Sequence, residues 1–273
     1  MFQAILEGLQ VDKVEKAVWL KVVWSLTTLQ KAKSHHFESV LNEQSASEVL
    51  GKVNLFSQKC LILLILAKFP FSESVDMMNN TSIQTLLNIN AAAIHVEKSY
   101  QGPTIPLERI HSVLANKPLI SAEKSAFSKR VTEAFHSLAS PPNFLWENIY
   151  TSMGFLVDAE AVFVRDTSGN YQPIGPIFEM GTLGRETLPE NQRAAEKQLP
   201  QDAQRVALLT LSFKECLLGS NAPLSGLATL KIRILQQRGY KVYTVQHDEL
   251  PAKTKQKMEA VKILDGKLRS LLQ

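Results

Sequence analysis

The chain has 273 residues, 30 Lys and Arg against 26 Asp and Glu, and an apolar fraction of 45%. That balance belongs to an ordinary globular protein with a real core, and the length fits one large or two smaller domains. Cys60 and Cys216 are the only cysteines and neither has a second Cys or His at metal spacing. A disulfide framework is excluded, and both thiols are expected to be reduced.

From Val11 to Leu41 apolar residues recur at helical spacing: Val14, Ala17, Val18, Leu20, Val22, Trp24, Leu26 and Leu29, then Phe37, Val40 and Leu41. This predicts two helices with a turn at Ser34, His35 and His36, and Trp19 and Trp24 as packing anchors. A second pair is expected over Ala46 to Phe56 and Lys59 to Phe69, stopped by Pro70. Its apolar run, Cys60 to Ala67, is far short of the roughly 20 residues that cross a bilayer, so no membrane span is expected. Helices over Ile83 to Lys98, Leu107 to Leu114 and Ser121 to Leu138 follow, separated by Gly102, Pro103 and Pro106 and closed by Pro141 and Pro142. Without a fixed repeat period, these helices read as an irregular solenoid or a bundle. No targeting segment is legible at the N-terminus, where Glu7, Asp12 and Glu15 interrupt any basic amphipathic helix.

After Trp146 the pattern changes. Met153 to Arg165 alternates as a strand, Asp166, Ser168, Gly169 and Asn170 supply turn chemistry, and Tyr171 to Ile174 returns as a second strand. Leu183 to Gln204 is polar and rich in Glu, Gln, Arg and Pro, as expected of an exposed linker. Val206 to Phe213 is nearly all apolar, the signature of a strand covered on both faces. The remainder predicts a helix over Ser225 to Arg238, a strand over Tyr240 to Gln246 and a terminal helix over Lys253 to Leu272.

Arg205 to Gln273 carries twelve Lys and Arg against five Asp and Glu. Clustered cations of this kind displace counterions from phosphates and point to a polyanionic partner. On the helix, Leu227, Leu230, Ile234 and Leu235 form the expected inner stripe, which turns Lys231, Arg233 and Arg238 outward. Lys241, Lys253 and Lys255 extend the basic set, and Tyr243 and His247 are candidates to stack on unpaired bases. Tyr240, beside Gly239, competes as a core residue.

The strand at Val206, the helix start from Gly226 to Arg233, the turn from Gln237 to Tyr240 and the terminal helix together resemble the RAP domain. This is the small RNA-binding module at the C-terminus of FAST-kinase-domain mitochondrial RNA-processing proteins. Upstream, AVWLKVVWSLTTLQ at Ala17 to Gln30 is similar to the first FAST-type helical region, and Leu145 to Ile174 to the end of the second. The resemblance implies a first FAST-type helical region over 1–80, a second over 81–150, a strand hairpin and polar linker over 151–204, and a RAP-like domain over 205–273. The fold class expected is α plus α/β, with a helical N-terminal region and a small endonuclease-like domain related to the PD-(D/E)XK type.

Kinase chemistry is not expected: the chain has no glycine-rich GxGxxG loop, no VAIK-type lysine strand, no HRD and no DFG. Endonuclease-like relatives hold a divalent metal with carboxylates on adjacent strands. Where they read V-A-x-E-x-D, this chain has Leu209 and Leu211. Asp166, Glu215, Asp248 and Glu249 are the nearest substitute acids, each with a turn, loop or capping role as the plainer reading. The resemblance therefore implies a non-catalytic protein without cofactor or metal, located in the mitochondrial matrix, that binds single-stranded mitochondrial transcripts in their processing, stability or translation. A metal-dependent endoribonuclease and a protein-binding adaptor of an RNA-processing complex are the alternatives.

Overall fold

In the computed structural model the described residues are 14–50, 73–116, 126–138, 145–174, 202–213, 215–216, 223–250 and 257–272. The chain forms two compact units, Met1–Ile120 and Ser121–Gln273. No described helix is long and apolar enough to cross a membrane.

The first unit is helical. Helix α1, Lys16–Thr28, buries Trp19, Leu20, Val23 and Leu26, a stripe at one-turn spacing. It packs with α2, Ser34–Leu41, against α3, Glu73–His95. Residues 43–50 are also helical. The turn expected at Ser34 to His36 falls earlier, at 29–33, where Gln30 adopts φ 58° and Lys31 and Ala32 both donate to the Leu26 carbonyl at 2.7 and 3.1 Å. The two histidines begin α2 because His36 caps it: the Lys33 N–H donates to His36 Nδ1 at 2.9 Å. Trp19 is the anchor its spacing implied, with Nε1 donating to Ser39 Oγ at 2.9 Å. Helix α3 begins ten residues before the predicted start, and α4, Leu107–Asn116, follows Pro106, whose carbonyl accepts from Arg109 and Ile110. The connection is pinned by Asn90, whose Oδ1 accepts the Ile105 N–H at 2.9 Å. The helix predicted over Lys59 to Phe69 lies outside the described residues.

The second unit is a mixed sheet between helices. Its elements run α5 (Ala126–His136), β1 (Trp146–Tyr150), β2 (Leu156–Arg165), β3 (Tyr171–Ile174), β4 (Gln204–Leu211), α6 (Gly226–Gln237), β5 (Tyr240–Gln246) and α7 (Lys257–Leu272). The strand order is β1-β2-β4-β5, with β3 beside β2 on the edge that β1 also uses. Pairing is antiparallel except for β4 and β5, which run parallel and are joined through α6. The fold is therefore helical plus a mixed α/β layer, as the alternation of patterns implied.

Alternation along the strands assigns the two faces. Val206 and Leu208 of β4, Tyr243 and Val245 of β5 and Ala159, Ala161 and Phe163 of β2 share one core with Val131 and Phe135 of α5 and Leu264, Leu268 and Leu272 of α7. Ala207, Leu209 and Leu211 face the other side, where α6 lies on β5. The β2–β3 turn is built as predicted. Asp166 accepts from the Ser168 and Asn170 N–H groups, Gly169 takes φ 83°, and these bonds hold the exposed Asp166 carboxyl below its ordinary pKa.

Candidate nucleic-acid interface

The C-terminal basic segment begins at β4, a strand covered on both faces. Val206, Ala207, Leu208, Leu209 and Leu211 are all buried. Leu209 and Leu211, which stand where metal-binding acids were expected, are core side chains at 1% and 0% exposure. The four substitute acids are occupied or exposed. Asp166 holds its turn, Glu215 accepts from Ser212 N and Oγ at 2.9 Å each, Glu249 pairs with Lys267 at 2.7 Å, and Asp248 is exposed in the turn after β5. Among the described residues no group of three or more His, Cys, Asp or Glu is placed to hold a metal ion.

Helix α6 starts where Ser225 accepts the Ala228 N–H on its side chain and stops at Gly239, whose φ of 83° lets the chain turn directly into β5. Its inner face is Ala228, Leu230, Ile234 and Leu235, while Leu227 is 39% exposed. The buried arc is thus rotated toward Lys231 relative to the predicted stripe. Lys231 does not point outward: its side chain is 14% exposed, with Nζ 3.7 Å from Glu215 and 5.8 Å from the centre of the Phe155 ring.

Most of the other candidate contacts also carry internal roles. Lys241 Nζ donates to the Leu271 carbonyl at 2.6 Å, closing the C-terminal end of α7, where a cation is favoured. Tyr243 is 1% exposed. Its hydroxyl donates to the Leu264 carbonyl at 2.9 Å and its ring meets Phe135 edge to face. Burial pushes its phenol pKa up, and the ring is out of reach of a base. Tyr240 is the core residue that its place beside Gly239 implied, donating to buried Glu160 at 2.9 Å. Arg238 is half-buried at the C-cap of α6. Lys253 and Lys255 lie outside the described residues.

Two candidates remain. Arg233 is half-buried, its Nε is shielded from solvent without a hydrogen-bond partner, and no ion pair is formed with it among the described residues. Burial pulls its pKa down from the ordinary guanidinium value. A cation desolvated in this way gains from an arriving anion. His247 is half-buried at the end of β5, and its backbone N–H donates to the Leu211 carbonyl at 3.1 Å.

Two features of this unit have only faint traces in sequence. Asp158 ties helix to sheet, accepting from Ser128 Oγ at 2.5 Å and from the Thr210 N–H at 2.8 Å. Glu160 is buried at 5% exposure opposite Ala207. Acids at alternate positions inside the apolar run LVDAEAVFV were the available signal.

The segment from 83 to 171, which contains most of α3, all of α4, α5, β1 and β2, and the first residue of β3, matches the family described as FAST kinase-like protein, subdomain 2. The human FAST kinase domain-containing protein 4 is 23% identical over 167 residues, 61% of this chain and 22% of that protein. The rat protein of the same name is 22% identical over 204 residues, 74% of this chain and 27% of its own length. The chain thus spans about a quarter of the length of these relatives. No solved structure matches it. The matched subdomain and these two relatives make the chain similar to FAST-kinase-domain proteins.

Proposed function

We propose that the chain binds single-stranded RNA through its second unit, as a RAP-like module of a mitochondrial RNA-processing protein, and that it does so without cutting. The observation that carries this reading is the joint one of a basic C-terminal segment and a desolvated, uncommitted guanidinium at Arg233, in a chain similar to FAST-kinase-domain proteins. Phosphate contacts through Arg233, joined by the lysines at 253 and 255, supply affinity without reading sequence. Binding without cleavage is favoured by Leu209 and Leu211, because an apolar side chain inside a packed core offers nothing to a hard cation.

Filter binding of labelled single-stranded RNA at two salt concentrations tests the reading. Affinity is expected to fall with salt, and Arg233→Ala to flatten the log–log slope by about 0.7, the value of one phosphate contact on a single strand. Absence of binding at low salt sinks the RNA reading. RNA cleavage that needs magnesium or manganese overturns the non-catalytic part alone.

A further inference from the structure

In the parallel part of the second unit, both carboxyl ends emerge together. β4 ends at Leu211 and β5 at Gln246, paired residue to residue, and the next residues of each strand form a small aromatic corner. Phe213, two residues beyond β4, is 59% exposed. His247, one residue beyond β5, meets it edge to face at 84°, with ring centres 5.3 Å apart.

This corner is braced on both sides. The His247 N–H donates to the Leu211 carbonyl at 3.1 Å, fixing one strand end to the other. Ser212 is held by Glu215, which accepts from both its N–H and its hydroxyl, and the Glu215 carbonyl in turn accepts the Ser225 N–H at the start of α6. A large apolar ring is thus held in solvent between hydrogen-bonded neighbours, at the end of an open α/β sheet where ligands characteristically bind. Preorganisation matters because ordering a loose aromatic would consume part of the contact energy.

The charge around the corner says what kind of group fits. Burial first, and then the charges of Asp248, Glu215 and Glu249, raise the thiol pKa of neighbouring Cys216. Lys231 answers Glu215 and Lys267 answers Glu249, while Asp248 has no ion-pair partner among the described residues. With two acids matched and Asp248 left over, the corner favours a flat, neutral ring with amino groups on its edge over a phosphate.

We propose that Phe213, braced by His247, is a stacking platform for an unpaired RNA base, separate from the cations that hold the backbone. This rests on the RNA-binding reading above. It replaces Tyr243, whose ring is buried, as the aromatic contact of the interface.

The test uses the full chain and two fluorescein-labelled probes about a dozen nucleotides long, one a single-stranded RNA and one the same backbone lacking bases. Phe213→Ala and Phe213→Leu are expected to weaken RNA binding about 5- to 150-fold with an unchanged salt slope, and Phe213→Trp to bind as the parent does. The baseless probe is expected to bind the parent and Phe213→Ala alike. A parent that binds RNA, with Phe213→Ala binding it equally well, overturns the platform and leaves the RNA reading standing. Equal loss on both probes also overturns it, since Phe213 then acts without touching bases. A parent that fails to bind RNA at low salt removes both readings together.

Discussion

Replacing Tyr243 separates an interface residue from a core residue. Its ring is enclosed at 1% exposure between α5 and α7, edge to face with Phe135 at 5.3 Å, and its hydroxyl donates to the Leu264 carbonyl at 2.9 Å. Tyr243→Phe removes only that hydrogen bond, at a cost of about 1 kcal/mol. Tyr243→Ala also empties the ring's volume, for about 3–5 kcal/mol. Hydrogen exchange of the β4 and β5 amides reads these costs as opening free energies. The first variant should exchange about fivefold faster, and the second about two to four orders of magnitude faster. A cycle with Phe135→Leu should show coupling of about 0.5–1.5 kcal/mol for the edge-to-face pair. RNA affinity should be unchanged in Tyr243→Phe. A variant with parental exchange and tenfold weaker RNA binding would refute this assignment, because the hydroxyl would then be reaching RNA and not α7.

Three further outcomes follow from the same structure. Leu209→Glu, which restores an acid at its expected place, should unfold the second unit, since an unpaired carboxylate would enter a fully buried site; a native circular dichroism spectrum with metal-dependent cleavage would contradict this. Lys241→Met should speed amide exchange over the last turn of α7, by an amount worth about 1 kcal/mol, and leave RNA affinity alone. His36 accepts a backbone N–H in its neutral form, and burial first, then the charges of His35 and Lys33, lower its pKa below 6.5. Its contribution to the first unit is therefore complete above about pH 6.5 and lost as pH falls through the lower folded value, while His36→Asn, which keeps an acceptor, should flatten that dependence in a thermal-melt series.

How much of this was legible in sequence depended on how local the cause was. The turn at Asp166 to Asn170 was plain because its hydrogen bonds run between close neighbours. The nearly all-apolar run from Val206 within β4 announced its own double coverage. β1 was missed, since WENIY has no clean alternation and Asn148 breaks it with φ 57°. The start of α2 was misplaced because a histidine at its third position accepts the Lys33 N–H, a task that the capping box assigns to Glu or Gln. The interface residues were harder. On a sheet with helices over both faces, alternation says which residues share a side but not that either side meets solvent, so Tyr243 looked like a candidate contact. The cations looked outward because only the tertiary fold brings Glu215 to Lys231 and the end of α7 to Lys241.

The place of β4 in the sheet has a practical consequence for anyone dividing this chain. Residues 204–208 pair with 159–163 of β2, and the same strand pairs along its whole other edge with β5. The recognisable family segment ends at 171, before β4 arrives. A fragment cut there would contain, of the second unit, only α5, β1, β2 and the first residue of β3, with one long edge of β2 stripped of its neighbour and offered to any passing strand. Expressed alone it is expected to self-associate, because the segment that defines the similarity lacks β4 and β5. Recombinant boundaries should run from about 121 to the end of α7, following the sheet and not the similarity.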